Sequence, residues 1–213
     1  MSFVVAIDGP AASGKGTLAR RLARHYGFAY LDTGSLYRAV GQAVRDAGSD
    51  PADETAALAA ARALDINRIN EKAIRTREAG EAASLVAVMA PVRAAILDFQ
   101  RDFAANPPGG QKGAVLDGRD IGTVVCPDAN VKLFVTASPE VRAHRRWLEL
   151  KGSGSAVSEA QVLEDTRERD ARDAGRAASP MKQAADAHLL DTTNLSIEAA
   201  FGEAVRIIDK SMS

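Results

Sequence analysis

A glycine-rich segment near the start of the chain has the residue types and spacing that bind phosphate groups. Residues 9–17 read GPAASGKGT, and the Gly-x4-Gly-Lys spacing surrounds an anion with backbone amides and a lysine. An apolar run typical of a buried strand precedes it, and a helical pattern, whose N-terminus attracts phosphate, follows it. A glycine-rich turn without a ligand is the alternative. The flanking elements favour a nucleoside triphosphate site.

One position of this loop departs from the usual pattern. The residue after the lysine is usually Ser or Thr, but here it is Gly16, and the hydroxyl follows at Thr17. Thr17 is therefore the candidate magnesium ligand, through a direct contact or a water molecule. The expected triphosphate-binding residues are Gly9, Pro10, Ala11, Ala12, Ser13, Gly14, Lys15, Gly16 and Thr17.

A second polar segment, DTGSLYR at 32–38, follows the next predicted strand. Ligands of open α/β sheets bind at the carboxyl ends of the strands, so this segment is a candidate for a second site. Thr33 is either a helix N-cap or a ligand hydroxyl. Arg38, one turn into the following helix, is either a clamp for a second phosphate or a solvated arginine.

A third segment, DGRDIGT at 117–123, also follows a strand. Two carboxylates that flank an arginine can bind a cation, orient a guanidinium or accept a hydrogen bond from a base edge. A carboxylate accepts from the exocyclic amine of cytosine but repels the carbonyl oxygen that uracil has there. Asp120 is therefore a candidate for cytosine recognition, and capping of the following turn is the alternative.

Arginine dominates the basic residues, with 20 Arg to 7 Lys, although the formal net charge is only -1. Near-neutrality argues against a nucleic-acid polymer or an anionic membrane as partner. Two helical patches concentrate the arginines, one at 142, 145 and 146 and the other at 169, 172 and 176, with Asp173 among them. Such patches are often solvated surfaces, but converging guanidiniums also neutralise the charge of a phosphoryl group during its transfer.

The elements that must position these residues alternate between strand and helix. Strands are predicted at Phe3–Asp8, Phe28–Asp32, Ala114–Asp117, Val131–Val135 and His188–Asp191. The alternation predicts an α/β fold with a five-stranded parallel sheet and helices on both faces. An Ala-rich helical insert is expected at about 46–90, and residues 151–155 (KGSGS) are expected to be a flexible joint.

The chain has a single cysteine, Cys126, and hence no internal disulfide. The N-terminal apolar run is far shorter than the roughly 20 residues that span a bilayer. We therefore expect a cytoplasmic protein without a signal peptide or membrane anchor.

Taken in order, the segments GPAASGKGT, LDTGSLYR, EAASLVA with PVR, DGRDIGTVV, ASPEVRAHRR and RERDARDAGR resemble the bacterial cytidylate kinase family, within the nucleoside monophosphate kinases. The resemblance covers nearly the whole chain. It implies transfer of the γ-phosphoryl group of ATP to CMP or dCMP with Mg2+, by a monomer with a monophosphate-binding insert and a mobile lid. It further implies one kinase domain over residues 1–213, with its core at 1–45 and 91–213, its insert at about 46–90 and its lid at about 142–176.

The resemblance also assigns roles to individual positions. Lys15, Arg119 and Arg176 match catalytic residues. Arg142, Arg145 and Arg146 match lid arginines that close over the ATP phosphates. The residues that match the CMP site are Thr33, Arg38, Ser84, Arg93, Arg119, Asp120, Arg169, Asp173 and Arg176, of which Ser84, Arg93 and Asp120 read the cytosine.

The insert is shorter than in the family members compared, which carry a small antiparallel sheet between the stretches that match Leu64 and Ser84. About twenty residues span that interval here, so a reduced or absent hairpin is predicted. Two alternatives for function stay open. One is a related small-molecule kinase, such as an adenylate, shikimate or dephospho-coenzyme A kinase, and the other is a nucleotide-dependent switch.

Overall fold

The computed structural model describes residues 2–70, 73–152, 154–176 and 179–212. All five predicted strands are present, with boundaries that differ by one residue at most. The strands are β1 Phe3–Asp8, β2 Ala29–Asp32, β3 Gly113–Gly118, β4 Val131–Thr136 and β5 His188–Asp191.

The strands form one parallel sheet in the order β2-β3-β1-β4-β5. All carboxyl ends therefore lie at the same edge, where the segments that follow β1, β2 and β3 meet. These are the three segments in which the sequence concentrates its candidate residues, so the sheet brings them to one place.

Helices cover both faces of the sheet, as predicted. The α-helices are α1 Lys15–Tyr26, α2 Thr33–Asp46, α3 Glu54–Arg62, α4 Arg77–Val86, α5 Ala90–Ala105, α6 Pro139–Gly152, α7 Glu159–Ala174 and α8 Ile197–Met212. Leu22 of α1 and Ile208 of α8 pack on one face against Val5 and Leu133. On the other face, Ala104 of α5 packs with Leu116 and Ile121.

The predicted insert is helical and has its own apolar cluster with α2 and α5, which includes Leu36, Val40, Val86 and Val92. Residues 65–70 and 73–76 contain the 3-10 helix Ile66–Arg68 and turns, without a strand. The shortened insert therefore has no hairpin in its described residues; Glu71 and Lys72 lie outside them.

The predicted joint at 151–155 differs from the structure in its first two residues. Lys151 and Gly152 still belong to α6. The helix continues this far because its buried residues include Leu150, one residue before Lys151. Ser153 lies outside the described residues, and Gly154 follows with a φ of +85°. The connection to α7 thus begins later than the glycine and serine content predicts.

Among the described residues, length and composition qualify no single helix to cross a membrane, although the bent pair Arg77–Val86 and Ala90–Gly110 passes when taken together.

Candidate active site

The loop after β1 has the backbone conformation that a phosphate cradle needs. Gly9, Ala12 and Gly14 have φ values of +144°, +57° and +88°. A Cβ atom at Gly9 would lie 1.9 Å from the carbonyl oxygen of Val135 on β4, so only glycine fits there. Helix α1 begins directly after Gly14, so its N-terminus opens onto the loop.

A cleft of about 640 Å³ lies between this loop, the start of α2, the β3 end and helices α4 and α7. It gathers most of the candidate residues, which the sequence spreads from Gly9 to Arg176. Those that line it are Ala11, Ala12, Gly14, Lys15, Gly16, Thr17, Thr33, Arg38, Arg93, Arg119, Asp120, Arg146, Arg169 and Arg176. The remaining candidates lie behind this lining, and they are Gly9, Pro10, Ser13, Ser84, Arg142, Arg145 and Asp173.

Lys15 is held beside both cationic and anionic neighbours. Burial, together with the Arg119 guanidinium, lowers the pKa of Lys15 to about 8, and the carboxylates of Asp117 and Asp32 partly oppose this shift. Burial and the charge of Asp32 raise the pKa of Asp117. The Tyr30 hydroxyl donates to Asp117 Oδ2 at 2.8 Å and fixes that carboxylate at the β3 end.

The hydroxyl that the usual loop pattern places after the lysine is replaced by a carboxylate from β3. A Cβ atom at Gly16 would lie 3.3 Å from Asp117 Oδ2. Thr17, one residue later, is exposed on the wall of the cleft. Asp32 and Asp117 line the same cleft.

The helix N-cap interpretation of Thr33 is wrong. Asp32 is the N-cap of α2, and its carboxylate accepts from the Ser35 amide at 3.2 Å. The Thr33 hydroxyl instead donates to the Asp117 carbonyl at 2.8 Å, because β2 and β3 end side by side. Arg38 is partly buried in the cleft wall 3.8 Å from Asp32, so the fully solvated alternative does not hold for it.

Asp120 does not cap the turn that follows it. The short π-helix Ile121–Val125 has no side-chain cap, and Asp120 pairs instead with Arg93 Nη2 from α5. Both side chains are buried, at 7% and 10% exposure. Arg93 also donates to the Ala87 carbonyl at 3.3 Å, which links the pair to the end of α4.

A second buried network joins α7 to the β3 end. Asp173 accepts from Arg119 Nε at 2.8 Å and from Arg176 Nη2. Burial alone raises the pKa of Asp173, but these guanidiniums and that of Arg169 outweigh it and lower the pKa. Burial lowers the pKa of Arg169 to about 9. The Nε atoms of Arg169 and Arg176 are buried without a hydrogen-bond partner, an arrangement suited to an anionic ligand.

The three arginines of α6 have different surroundings. Arg146 lines the cleft and donates to the Thr76 carbonyl at 3.2 Å. Arg142 is 3% exposed and is paired with Asp170 of α7. Arg145 donates to Thr192 after β5. The shared helix face therefore brings only Arg146 to the cleft surface.

Sequence reasoning missed several contacts of this site. Arg172 lines the cleft, and its Nε donates to Ser84 Oγ at 3.2 Å, so the buried Ser84 hydroxyl is held by α7. Asp8 accepts from the Ile121 and Gly122 amides at 2.7 and 2.8 Å, and burial raises its pKa to about 6. The signal for Asp8 was a carboxylate that ends an apolar strand directly before Gly9.

Phosphate-binding backbone on one wall of the cleft and guanidiniums on the other make the molecule a P-loop phosphotransferase of the α/β type. Solved structures with this fold include a sugar kinase from Janibacter sp. (TM-score 0.51, 14% identity, 98% of this chain and 95% of that one). A gluconokinase from Sinorhizobium meliloti gives a TM-score of 0.51 at 11% identity, over 98% of this chain and 92% of that one.

Comparison of the amino-acid sequence identifies the family within this class. The profile of the cytidylate kinase family matches residues 5–210. The cytidylate kinase of Rhodospirillum rubrum is 63% identical over 206 residues, 97% of each chain. That of Afipia carboxidovorans is 57% identical over 209 residues, 98% of each. The chain belongs to the cytidylate kinase family, and the resemblance inferred from its motifs is confirmed.

Proposed function

We propose that the two walls of the cleft bind ATP and CMP or dCMP and transfer the γ-phosphoryl group between them, with ADP and CDP or dCDP as products. Membership of the family makes the chain a nucleoside monophosphate kinase that uses ATP and CMP. One observation carries the assignment of residues. The phosphate loop with Lys15 and the buried Arg93–Asp120 pair line the same cleft from neighbouring strand ends.

On the donor side, the amides of residues 9–17 and the N-terminus of α1 hold the ATP phosphates. Lys15 bridges the β- and γ-phosphates as a point charge. Burial and the Arg119 guanidinium disfavour the protonated form of Lys15, as its lowered pKa indicates. An incoming polyanion favours that protonated form.

On the acceptor side, Asp120 accepts from the exocyclic amine of cytosine, while Arg93 and Ser84 complete the base contact. Arg93 pairs with this carboxylate and orients it, so the carboxylate oxygens repel the uracil carbonyl without rearrangement. Arg172 of α7 donates to the Ser84 hydroxyl and so connects α7 to the base-contacting residues.

The phosphate of CMP lies among Arg38, Arg119 and Arg176, with Thr33 beside it, and Arg169 and Asp173 contact the sugar. Unpartnered Nε atoms on Arg169 and Arg176 supply donors for these contacts. Asp173 accepts from Arg119 and Arg176 and so orients both guanidiniums. Such preorganised charge supplies most of the catalysis in phosphoryl transfer.

The reaction needs no general base. An anionic phosphate oxygen of CMP attacks the γ-phosphorus in line, a new P–O bond forms, and the bond to the β,γ-bridging oxygen breaks with its electron pair leaving on ADP. Arg146, the lid arginine that lines the cleft, moves with α6 and α7. Their closure brings positive charge to the transferring group and excludes water that would hydrolyse ATP.

The residues present also fit a magnesium ion. Thr17, Asp32 and Asp117 line the cleft and offer hard oxygen atoms, the kind of donor that Mg2+ prefers. Among the described residues no group of three His, Cys, Asp or Glu side chains forms a complete metal cage, consistent with an ion held largely by ATP and water. When bound, Mg2+ neutralises charge on the β- and γ-phosphates. The proposed monomer follows from the family resemblance, whereas the near-neutral charge argues against a membrane or nucleic-acid partner and the single cysteine fits the cytoplasm.

An assay of ADP release, coupled to NADH oxidation and run with each nucleoside monophosphate in turn, tests this proposal. We expect turnover with CMP and dCMP that far exceeds turnover with AMP, GMP or UMP. Turnover mainly with another acceptor would indicate a different small-molecule kinase. ATP binding without turnover on any acceptor would indicate a nucleotide-dependent switch, and either outcome overturns the proposal.

A further inference from the structure

Two carbonyl groups of the phosphate loop point away from the cleft and are held there by side chains from distant parts of the chain. The Ser13 carbonyl accepts from the Thr192 hydroxyl at 2.9 Å. The Ala11 carbonyl accepts from Arg142 Nη1 at 3.3 Å. Both donors are buried, with Thr192 5% exposed and Arg142 3% exposed.

Because the peptide bond is planar, a contact that holds a carbonyl outward also fixes the direction of the next amide. In a trans peptide, the C=O and the following N–H point in opposite directions. When the carbonyls of Ala11 and Ser13 are held outward, the amides of Ala12 and Gly14 therefore point to the opposite side. Ala12 and Gly14 both line the cleft, whereas Ser13 is fully buried. Amides that point into such a loop bind phosphate oxygens.

The orientation of the Thr192 hydroxyl is itself determined by its neighbours. Arg145 donates to Thr192 Oγ1 at 3.0 Å and to the Thr192 carbonyl at 2.8 Å. A hydroxyl has one proton to donate, and the Thr136 carbonyl is the other acceptor in reach, at 3.1 Å. That carbonyl also accepts from the Thr192 amide at 2.8 Å, and the bond to the Ser13 carbonyl is the shorter of the two that the hydroxyl can make.

Arg142 is likewise fixed by more than one contact. Its Nε donates to the Ala137 carbonyl at 2.8 Å, and Nη1 and Nη2 form a fork on the Asp170 carboxylate at 3.0 and 2.5 Å. Asp170 belongs to α7, the helix that carries Arg169 and Asp173. The Ala11 carbonyl is therefore connected to the position of α7.

The loop needs such support because its backbone is strained. Ala12 has a φ of +57°, in the left-handed region that costs a non-glycine residue about 1 kcal/mol or more. A flip of either peptide would turn a carbonyl oxygen toward the phosphates. Hydrogen bonds on the outer carbonyls stabilise the orientation in which amides face inward.

From these contacts we infer that Thr192 and Arg142 are positioning residues for ATP, which act by holding the Ser13 and Ala11 carbonyls so that the Gly14 and Ala12 amides face the phosphates. The inference rests on the proposed binding of ATP at this loop. It gives Arg142 a role beneath the loop, in place of the direct contact with nucleotide phosphates that the family resemblance implies. Arg145 acts through Thr192.

The Thr192→Val variant of the full chain tests the inference, because valine keeps the shape and loses the hydroxyl. Loss of one hydrogen bond that orients the loop should raise the Kd for ATP, measured by calorimetry without an acceptor, about five- to tenfold. The KM for CMP should stay within twofold, and Thr192→Ser should restore ATP binding. In the Val variant, the Gly14 and Ala12 amide resonances should also shift less when ADP is added.

The neighbouring Thr193 supplies a matched control. Its hydroxyl bonds to Asp191 and accepts from the Ser138 amide, without a contact to the loop, so Thr193→Val should leave the Kd for ATP unchanged. If Thr192→Val does not fold, the smaller Thr192→Ala replaces it. A folded variant without the hydroxyl that binds ATP within twofold of the parent would overturn the inference, as would an equal loss in Thr193→Val. Because ATP binding is measured without an acceptor, a parent protein that binds ATP but does not phosphorylate CMP would count against the proposed function alone.

Discussion

The two walls of the cleft bind phosphate with different chemical groups. The donor wall, residues 9–17, uses backbone amides, a helix N-terminus and one lysine. The acceptor wall, built from the β3 end and helices α4, α5 and α7, uses guanidiniums that are paired with carboxylates, such as Arg93 with Asp120 and Arg119 with Asp173. Amides bind any phosphate in the loop, whereas fixed side chains distinguish one ligand from another. In the proposed reaction, the donor wall supplies affinity, and the acceptor wall supplies selectivity and charge for the transferring group.

The largest effect is expected on the acceptor wall, from Arg176→Ala. The side chain is 4% exposed and is held by Asp173, so its charge is oriented before the substrate binds. Its removal should lower kcat by about 10³-fold, the range found for arginines that act on a transferring phosphoryl group. The Kd for ATP should change little, because the donor wall is intact. Steady-state kinetics and calorimetry measure both.

Arg206→Ala is the matched control for this variant, since Arg206 is exposed on α8 and pairs with Glu203. Normal turnover in Arg176→Ala would remove Arg176 from the reaction. A similar loss in Arg206→Ala would point to general instability instead.

The second-largest effect is expected for Asp120→Asn, which should lower the selectivity for CMP over UMP. The neutral amide can donate as well as accept, so the repulsion of the uracil carbonyl is lost. The ratio of kcat/KM for CMP to that for UMP should fall by about tenfold to a hundredfold, which corresponds to about 1–3 kcal/mol of base discrimination. Asp98→Asn, at an exposed position of α5, should leave the ratio unchanged. An unchanged ratio in Asp120→Asn would refute the role in base recognition.

The donor wall should show its dependence on charge through pH. The pKa of Lys15 is lowered to about 8, so the ligand-free protein loses this charge as the pH rises through 8, and ATP binding must then recover a proton. The Kd for ATP should increase above pH 8 and approach about tenfold per pH unit. Lys15→Arg should flatten this profile up to pH 9.5. A flat profile in the parent would contradict the assignment.

The smallest effect concerns the packing that holds the acceptor wall in place. A Cβ atom at Gly41 of α2 would lie 2.8 Å from that of Ala82 on α4, so Gly41→Ala should push α4 outward. We expect the free energy of unfolding to fall by about 1–3 kcal/mol. The KM for CMP should rise a few-fold, and the KM for ATP should stay unchanged. In Gly202→Ala, where the added atom meets nothing within 4 Å, the free energy of unfolding should not fall and the KM for CMP should not rise. An equal rise in both KM values for Gly41→Ala would show that the walls are not independently positioned.

The same comparison explains what the sequence could predict. The donor wall is encoded locally, because glycines at fixed spacing after a β-branched run specify both the strand and the loop. All five strands were recognisable for the same reason, as short apolar runs bounded by turn residues.

The acceptor wall was predictable only as a set of residues. Composition does not reveal which carboxylate pairs with a given arginine when the two are distant in sequence. Arg93 and Asp120 lie 27 positions apart, and Arg119 and Asp173 lie 54 positions apart. Arg142 shows the limit most clearly. Its helical spacing predicts a face shared with Arg146, but the packing of α6 against α7 buries it on Asp170. Thr33 shows a second limit, since its hydroxyl bonds to a neighbouring strand that local spacing does not include.

The strand order has a consequence for the time course of chain synthesis. β1 pairs with β3 and β4 but not with β2, so the strand that leads into the phosphate loop has no partner until residues 113–118 and 131–136 have been made. The last hydrogen bond to the loop comes later still, from residue 192. During synthesis, the donor loop therefore leaves the ribosome well before the segments that pair with its strand and bond to its carbonyl groups.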